Sequence, residues 1–195
     1  MIDTTELLKA FNLHRGDAIV VPGRAGKHWT RISTRPNLDV TLGDPAMGGR
    51  ASFSFGLALA QPDRKVVLFD SEGDLLMGLG ILPVIAEHQP KNFYHFVLDN
   101  ECWATTGGQP VPNAKNIDYG MMARGAGYKR THAFDNIETF TINIARILSE
   151  PGPVLATLKI VPEIQNAPIG GRAPWMKRDH IQVLKDLRQE LKIAD

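Results

Sequence analysis

Residues 66–109 carry the clearest signal of the fold: VVLFDSEGDLLM begins at Val66 and NFYHFVLDNECWATTGGQ begins at Asn92. Each segment holds a short apolar run followed by acidic or amide residues, and residues 74–89 between the two runs have an amphipathic pattern. Two apolar runs joined by such a segment predict a βαβ unit with parallel strands. Because ligands bind at the carboxyl ends of parallel strands, we expect a binding site where the polar residues follow the two runs.

The rest of the chain repeats this alternation of short apolar runs and helical segments. Further strands are predicted over residues 18–22, 38–42, 128–132 and 153–161. The first predicted helix begins at Asp3 or Thr4 and ends near residue 16, and a second covers residues 51–60. Two more are predicted to begin at Asn116 or Asp118 and at Asp135, and a last one covers residues 179–191. Six strands interleaved with helices predict an α/β fold, with a doubly wound, mostly parallel six-stranded sheet covered by helices on both faces.

Size and composition narrow the class of protein. The 195 residues, 43% of them apolar, suit one domain over residues 1–195, with residues 162–195 as a C-terminal tail and helix that either covers a site or packs on another subunit. The net charge of +1 without a long basic block predicts no nucleic-acid or membrane partner. The single cysteine excludes an internal disulfide framework, and the lack of a leader or a membrane-spanning apolar run predicts a cytoplasmic protein.

Residues 70–74 and 98–100 together resemble the metal-diphosphate motif of thiamine diphosphate enzymes, which is Gly-Asp-Gly followed, after a helix and a strand, by a pair ending in Asn. The resemblance is strongest to the small sulfopyruvate and phosphonopyruvate decarboxylases and covers roughly residues 17–161. It implies an Mg²⁺ site formed by the carboxylate of Glu72, the amide of Asn100 and the backbone carbonyl of Cys102. Oxygen donors of this kind are the ligands that magnesium prefers.

The same resemblance assigns cofactor contacts outside the metal site. It implies that the turn of Gly26, Lys27 and His28 helps to hold the diphosphate, although a solvated turn before a helix fits this segment equally well. The glycine spacing in residues 23–27 is too short for the P-loop of nucleotide triphosphatases.

Two further segments take cofactor roles by the resemblance. Residues 45–47 match a loop whose first carbonyl accepts a hydrogen bond from the aminopyrimidine and whose third residue holds the cofactor bent. This match places those roles on Pro45 and Met47, with Ala46 between them. Gly73 follows the metal carboxylate at the start of a helix, and Trp103 is expected to border the cofactor pocket.

Asp74 departs from the family pattern, which has a serine that donates to the diphosphate. An added carboxylate ~5 Å from a phosphate oxygen would cost about 3 kcal/mol at an effective dielectric constant near 20. Either Asp74 turns toward the metal or toward a basic residue such as Lys27, or the site is altered or lost.

The resemblance implies a thiamine diphosphate-dependent decarboxylase that acts on a small 2-oxo acid. In the family, the glutamate that activates the cofactor belongs to a separate pyrimidine-binding domain. We therefore expect a β-type subunit that forms a hetero-oligomer, α2β2 or larger, with a pyrimidine-binding α-type subunit. The basic residues Lys27, Arg31 and Arg50 would suit a doubly anionic substrate. The alternatives are a carboligase subunit similar to acetolactate synthase and a non-catalytic homologue, either cofactor-binding or regulatory, whose altered residues 71–74 no longer hold metal.

Overall fold

The structure is a computed structural model that describes residues 1–41, 47–168, 171 and 175–193. Its α-helices are α1 (Thr4–Asn12), α2 (Gly26–Ile32), α3 (Arg50–Ala60), α4 (Glu72–Met77), α5 (Ile81–His88), α6 (Tyr119–Ala126), α7 (Ile137–Ser149) and α8 (His180–Glu190). Its strands are β1 (Ile19–Val21), β2 (Val66–Ser71), β3 (Phe93–Asp99), β4 (Cys102–Trp103), β5 (Gln109–Pro110), β6 (Arg130–Phe134) and β7 (Val154–Lys159).

Five parallel strands form the main sheet in the order β1-β2-β3-β7-β6, and β4 pairs antiparallel with β5 in a separate two-stranded ribbon. The chain moves across the sheet from β1 to β3, then passes to β6 at the far edge and returns to β7. Since parallel crossovers are right-handed, this reversal places the connecting helices on opposite faces.

Both faces of the sheet are buried, as near-continuous apolar strands require. Alternate residues of β2 illustrate this, because Val67 and Phe69 pack with α1, α2 and α7, whereas Val66 and Leu68 pack with α3, α5, α6 and α8. The predicted doubly wound α/β architecture is therefore confirmed, with two apolar cores separated by one sheet.

The predicted sixth strand is wrong for the part of residues 38–42 that the structure describes. Residues 36–38 form a short 3₁₀ helix that begins at Pro36, and only an isolated bridge joins Asp39 to Val20 of β1. The Asp39 side chain is buried in an ion pair with Arg15 at 3.0 Å. A buried ion pair therefore holds this segment where a sixth strand was expected, and the main sheet has five strands among the described residues.

Four other features differ from the sequence predictions. The amphipathic segment 74–89 is two helices, α4 and α5, because Gly78 lies against the backbone of Gly48, where an added Cβ would be 2.3 Å from the carbonyl oxygen. The strand predicted at residues 128–132 begins two residues later, after the left-handed Gly127 that ends α6. Asn136 caps α7 in place of Asp135, since its side chain accepts from the N–H groups of the first turn. The first helix ends at Asn12, short of the predicted residue 16.

The C-terminal helix packs on the protein's own fold. Val183 and Leu187 of α8 are buried in the core beside α3 and α5, and Arg178 ahead of it donates to the carbonyl oxygen of Pro36 at 2.6 Å. None of the helices in the described ranges is long and apolar enough to cross a membrane.

Phe96 offers a test of the core between the sheet and α1 and α7. Its ring is fully buried and contacts the rings of Phe11, Phe69 and Phe140. We expect Phe96→Ala to lower the free energy of unfolding by about 3–5 kcal/mol in urea denaturation, because the substitution leaves a cavity. Ile142→Ala, at a side chain that is 78% exposed on α7, is the control and should change it by less than about 0.5 kcal/mol. A small loss for Phe96→Ala would show that this core is not packed as described.

Candidate functional site

A cavity of about 160 Å³ opens at the carboxyl ends of the central strands. It is lined by residues that follow β1, β2, β3 and β7, which is where a parallel sheet presents a ligand site. Most of the residues that were singled out from the sequence line it, namely Lys27, His28, Met47, Gly73, Asp74, Asn100, Cys102 and Trp103.

Glu72 begins α4 directly after β2, between Ser71 and Gly73, which both line the cavity, and is not itself among the lining residues. Its side chain is 1% exposed, and neither carboxylate oxygen has a hydrogen-bond partner among the described residues. Burial raises the pKa of the Glu72 carboxyl group to about 8, and the nearby charge of Asp99 adds to the increase. The backbone N–H groups of Asn100 and Cys102 face the carboxylate and oppose this shift without closing a hydrogen bond to it. The fold therefore holds a carboxylate whose charged form lacks a partner.

The other two predicted metal ligands lie on the loop that follows β3. The side-chain oxygen of Asn100 accepts from the backbone N–H of Cys102 at 2.9 Å, which tightens the loop and brings both residues to the end of the strand. An amide oxygen has two lone pairs, so this contact leaves one for another ligand. The register of β2 and β3, in which Ser71 pairs with Leu98, sets Glu72 beside this loop.

The remaining buried carboxylates near these strand ends have partners. Asp70 lies 3.0 Å from Nε2 of His95 in the interior, as expected for a core histidine whose side chain is satisfied on that side. Asp99 accepts from Nζ of Lys159 at 2.7 Å, and Lys159 also binds Glu101 at 2.8 Å. Glu72 is the unpaired member of this group within the described part of the chain.

Asp74 points to arginines, not to Lys27 as one sequence hypothesis had it. Its carboxylate forms a buried ion pair with Arg50, lies 3.8 Å from Nε of Arg24, and accepts from the N–H of Gly48 at 3.2 Å. Arg50 is 1% exposed, so the acid and the base neutralise each other inside the protein.

Lys27 and His28 contact an acidic side chain from the C-terminal tail. Nζ of Lys27 and Nε2 of His28 both bind the carboxylate of Glu163, the histidine at 3.0 Å, while Nδ1 of His28 lies 3.0 Å from the hydroxyl of Thr5. Gly26 is covered by the ring of Trp175, since an added Cβ would approach that ring to 2.3 Å. The turn is thus part of the cavity wall and is not simply solvated.

Two more predicted contacts have clear surroundings. Gly73 packs under the ring of Trp103, where an added Cβ would come within 2.5 Å, so this position requires glycine. Met47 lines the cavity with a side chain that is 63% exposed. Pro45 and Ala46 lie outside the described residues.

Sequence reasoning missed the tail and one arginine. Ile160, Val161, Glu163 and Gln165 line the cavity after β7, and Arg24 lies beside Asp74. The rule that ligands bind where parallel strands end would have selected residues 160–165, because β7 lies beside β3.

The chain matches the family model described as "Thiamine pyrophosphate enzyme, C-terminal TPP binding domain" over residues 26–157. It belongs to this family. The chain is 38% identical over 148 residues to a phosphonopyruvate decarboxylase of Streptomyces viridochromogenes, a match that covers 75% of this chain and 36% of that protein. It is 30% identical over 165 residues to a sulfopyruvate decarboxylase subunit beta of Methanococcus maripaludis, covering 84% of this chain and 86% of that subunit.

Among solved structures, the fold is similar to that of a thiamine diphosphate-dependent 4-hydroxybenzoylformate decarboxylase of Rhodococcus jostii. The TM-score is 0.66 at 20% identity, and the match covers 85% of this chain and 33% of that one. The TPP-binding domain thus spans about a third of both the Streptomyces and the Rhodococcus enzymes.

The buried Glu72 carboxyl group predicts a specific dependence of stability on pH. Because its pKa rises from 4.5 to about 8 on folding, the folded protein binds this proton more tightly than the unfolded chain between those values. In metal-free buffer with a chelator, the stability of the native chain relative to Glu72→Gln should therefore fall as the pH rises through this window, by at most about 1.4 kcal/mol per pH unit. Urea denaturation of both proteins at each pH measures the difference, and a difference that stays constant from pH 5 to 8 would contradict it.

Proposed function

We propose that this chain is the β-type subunit of a two-chain, thiamine diphosphate-dependent 2-oxo acid decarboxylase of the sulfopyruvate or phosphonopyruvate type. The observation that carries the proposal is the buried, unpaired carboxyl group of Glu72 directly after β2, beside the Asn100 amide that directly follows the neighbouring strand β3. The printed names of the relatives from Streptomyces and Methanococcus support the reaction class.

The donor set fits Mg²⁺. Glu72 supplies a carboxylate without another partner among the described residues, Asn100 an amide oxygen and Cys102 a backbone carbonyl, and hard divalent cations bind such oxygens. Among the described residues, no group of three His, Cys, Asp or Glu side chains is placed to hold a metal. A site with few protein ligands suits magnesium, which keeps waters and substrate phosphates in its coordination shell.

The cavity also fits a diphosphate. Lys27, His28 and Arg24 bring basic side chains to its wall, and the carboxylate of Asp74 is already neutralised by Arg50. The repulsion that an isolated carboxylate would exert on a phosphate is reduced accordingly, which favours a working site over an altered one.

Thiamine diphosphate, when bound, would supply a carbon nucleophile that adds to a 2-oxo acid and would accept the electron pair left behind by the C–C bond that breaks as carbon dioxide departs. The residues of this chain would bind and orient the diphosphate end. Glu72, Asn100 and Cys102 would hold the metal, and Trp103 with Met77 would exclude water from the apolar part of the cavity.

The catalytic glutamate is expected on a pyrimidine-binding α-type partner. At about 160 Å³, the cavity is smaller than the roughly 300–1,000 Å³ that encloses a drug-sized ligand, in keeping with a site that a second subunit completes. The name "subunit beta" of the Methanococcus relative supports the same arrangement.

Calorimetric titration with thiamine diphosphate and Mg²⁺ tests the proposal. The full chain should bind the cofactor only with Mg²⁺, and carbon dioxide should be released from sulfopyruvate or phosphonopyruvate only after the α-type subunit is added. Glu72→Gln should weaken Mg²⁺-dependent binding at least about tenfold, because it removes the charged ligand, whereas Glu87→Gln on the surface of α5 should not change it.

The other outcomes separate the alternatives. Product formation by joining two 2-oxo acids would identify a carboligase and overturn the decarboxylase assignment. Absence of cofactor binding both with and without the partner would leave a non-catalytic homologue.

Asp74 provides a second test of the diphosphate site. We expect Asp74→Ser to preserve or tighten cofactor affinity, since it removes a negative charge from the wall of the cavity. The variant should also be less stable, because it removes the acidic member of the buried ion pair with Arg50, and breaking such a pair costs about 3–5 kcal/mol. Thermal unfolding measures that loss separately from calorimetry. A large loss of affinity in folded protein would show that Asp74 is itself a cofactor or metal ligand.

A further inference from the structure

A carboxylate of the protein itself, that of Glu163, contacts the basic side chains at the mouth of the cavity. Glu163 binds Nζ of Lys27 and lies 3.0 Å from Nε2 of His28, although it is 135 residues away from the histidine in sequence. All three side chains line the same cavity as Asn100 and Gly73. The Glu163 carboxylate therefore already contacts the basic side chains that an incoming anion would bind.

The backbone on both sides of Glu163 is fixed. The N–H of Val161 donates to the carbonyl of Ile2 at 2.9 Å, and the N–H of Gln165 donates to the carbonyl of Ala104 at 2.8 Å. Ile164 packs on Gly108, where an added Cβ would come within 2.7 Å of its side chain. Residues 161–165 therefore cross the mouth of the cavity between the N-terminus and the loop after β4.

The side chain is held less firmly than the backbone. The Glu163 side chain is 39% exposed and that of Lys27 is 32% exposed, and ion pairs open to water contribute little net stability. Partial burial favours the neutral form of Glu163, but the bonds from Lys27 and His28 outweigh this and lower its pKa, so the group is charged. A stronger oxyanion can compete for these two donors without unfolding the segment.

We propose that Glu163 is a built-in competitor that a phosphate, phosphonate or sulfonate group displaces from Lys27 and His28 on binding. These groups share tetrahedral geometry and more oxygen acceptors than a carboxylate, which suits two convergent donors. The contact of Glu163 with Lys27 and His28 is independent of the reaction, whereas naming the ligand as cofactor or substrate rests on the proposed function.

Inorganic phosphate and sulfate are the probes, titrated into the full chain and followed by calorimetry and thermal shift. Glu163→Gln should bind phosphate about tenfold more tightly than the native chain, because the competing charge is gone. Glu6→Gln is the matched control, since Glu6 forms an exposed pair with Lys9 at 2.9 Å and its substitution changes the net charge equally. The double variant Glu163→Gln with Lys27→Met should lose the gain.

Three results would overturn the proposal. Equal affinities for Glu163→Gln and Glu6→Gln would show that no competition exists. Weaker binding by Glu163→Gln would show that the carboxylate positions the Lys27 and His28 side chains for the ligand. Retention of the gain in the double variant would place the anion elsewhere.

Saturation with thiamine diphosphate and Mg²⁺ before the titration separates the two sources of the oxyanion. A gain that persists in the loaded protein supports a site for the anionic group of the substrate. If the gain disappears while Glu163→Gln raises the affinity for thiamine diphosphate but not for thiamine, displacement by the cofactor diphosphate is supported. Tighter phosphate binding in a chain that binds no thiamine diphosphate would keep the competitor and reject the proposed function.

Discussion

The structure depends on one electrostatic imbalance at the carboxyl ends of β2 and β3. Asp70, Glu72 and Asp99 are all buried there, within two neighbouring strand ends. Asp70 is hydrogen-bonded to His95, and Asp99 is paired with Lys159, whereas neither oxygen of Glu72 has a partner among the described residues. A buried carboxylate is costly in its charged form, and a divalent cation is the usual remedy in a site made of oxygen ligands. The parallel register of the two strands brings the carboxyl group and the amide together, and the proposed metal site rests on this juxtaposition.

In the wall of the cavity, acidic side chains are paired with basic side chains of the protein. Asp74 replaces the serine expected from the family pattern, and the cost of that acid is met by Arg50 on α3 and by Arg24 near the end of β1. At the mouth, Lys27 and His28 are matched by Glu163. Each acid of the wall therefore faces a basic side chain from another segment. Because each charge already has a partner of opposite sign, an incoming anion would have to replace one of these contacts.

Much of the fold could be predicted because its signals are local. The apolar runs before Asp70 and Asp99 are long enough to be strands buried on both faces, and their alternation with helical segments restricts the topology to a parallel sheet. The failures are equally instructive. No strand forms among the described residues near Leu38, where Asp39 is held by a tertiary ion pair with Arg15. The break between α4 and α5 occurs where Gly78 closely approaches Gly48. Neither partner is near in sequence, so no local pattern could report them.

The candidate site was predictable on one side and hidden on the other. Glu72, Asn100 and Cys102 follow strand ends in a recognisable order, whereas the partners of Asp74 and Lys27 come from segments far away along the chain. Lys27 was a reasonable partner for Asp74 on charge alone, and the structure shows why it is not: Arg50 reaches the acid from α3, while Lys27 turns to the tail. No sequence motif identified Glu163 as part of the site. Its role follows from the position of β7 next to β3, because a segment leaving that strand must cross the edge of the sheet where the ligand site lies. In a parallel sheet, the charges that tune a site can therefore come from whichever segment leaves the neighbouring strand, even when the residues that define the site are adjacent in sequence.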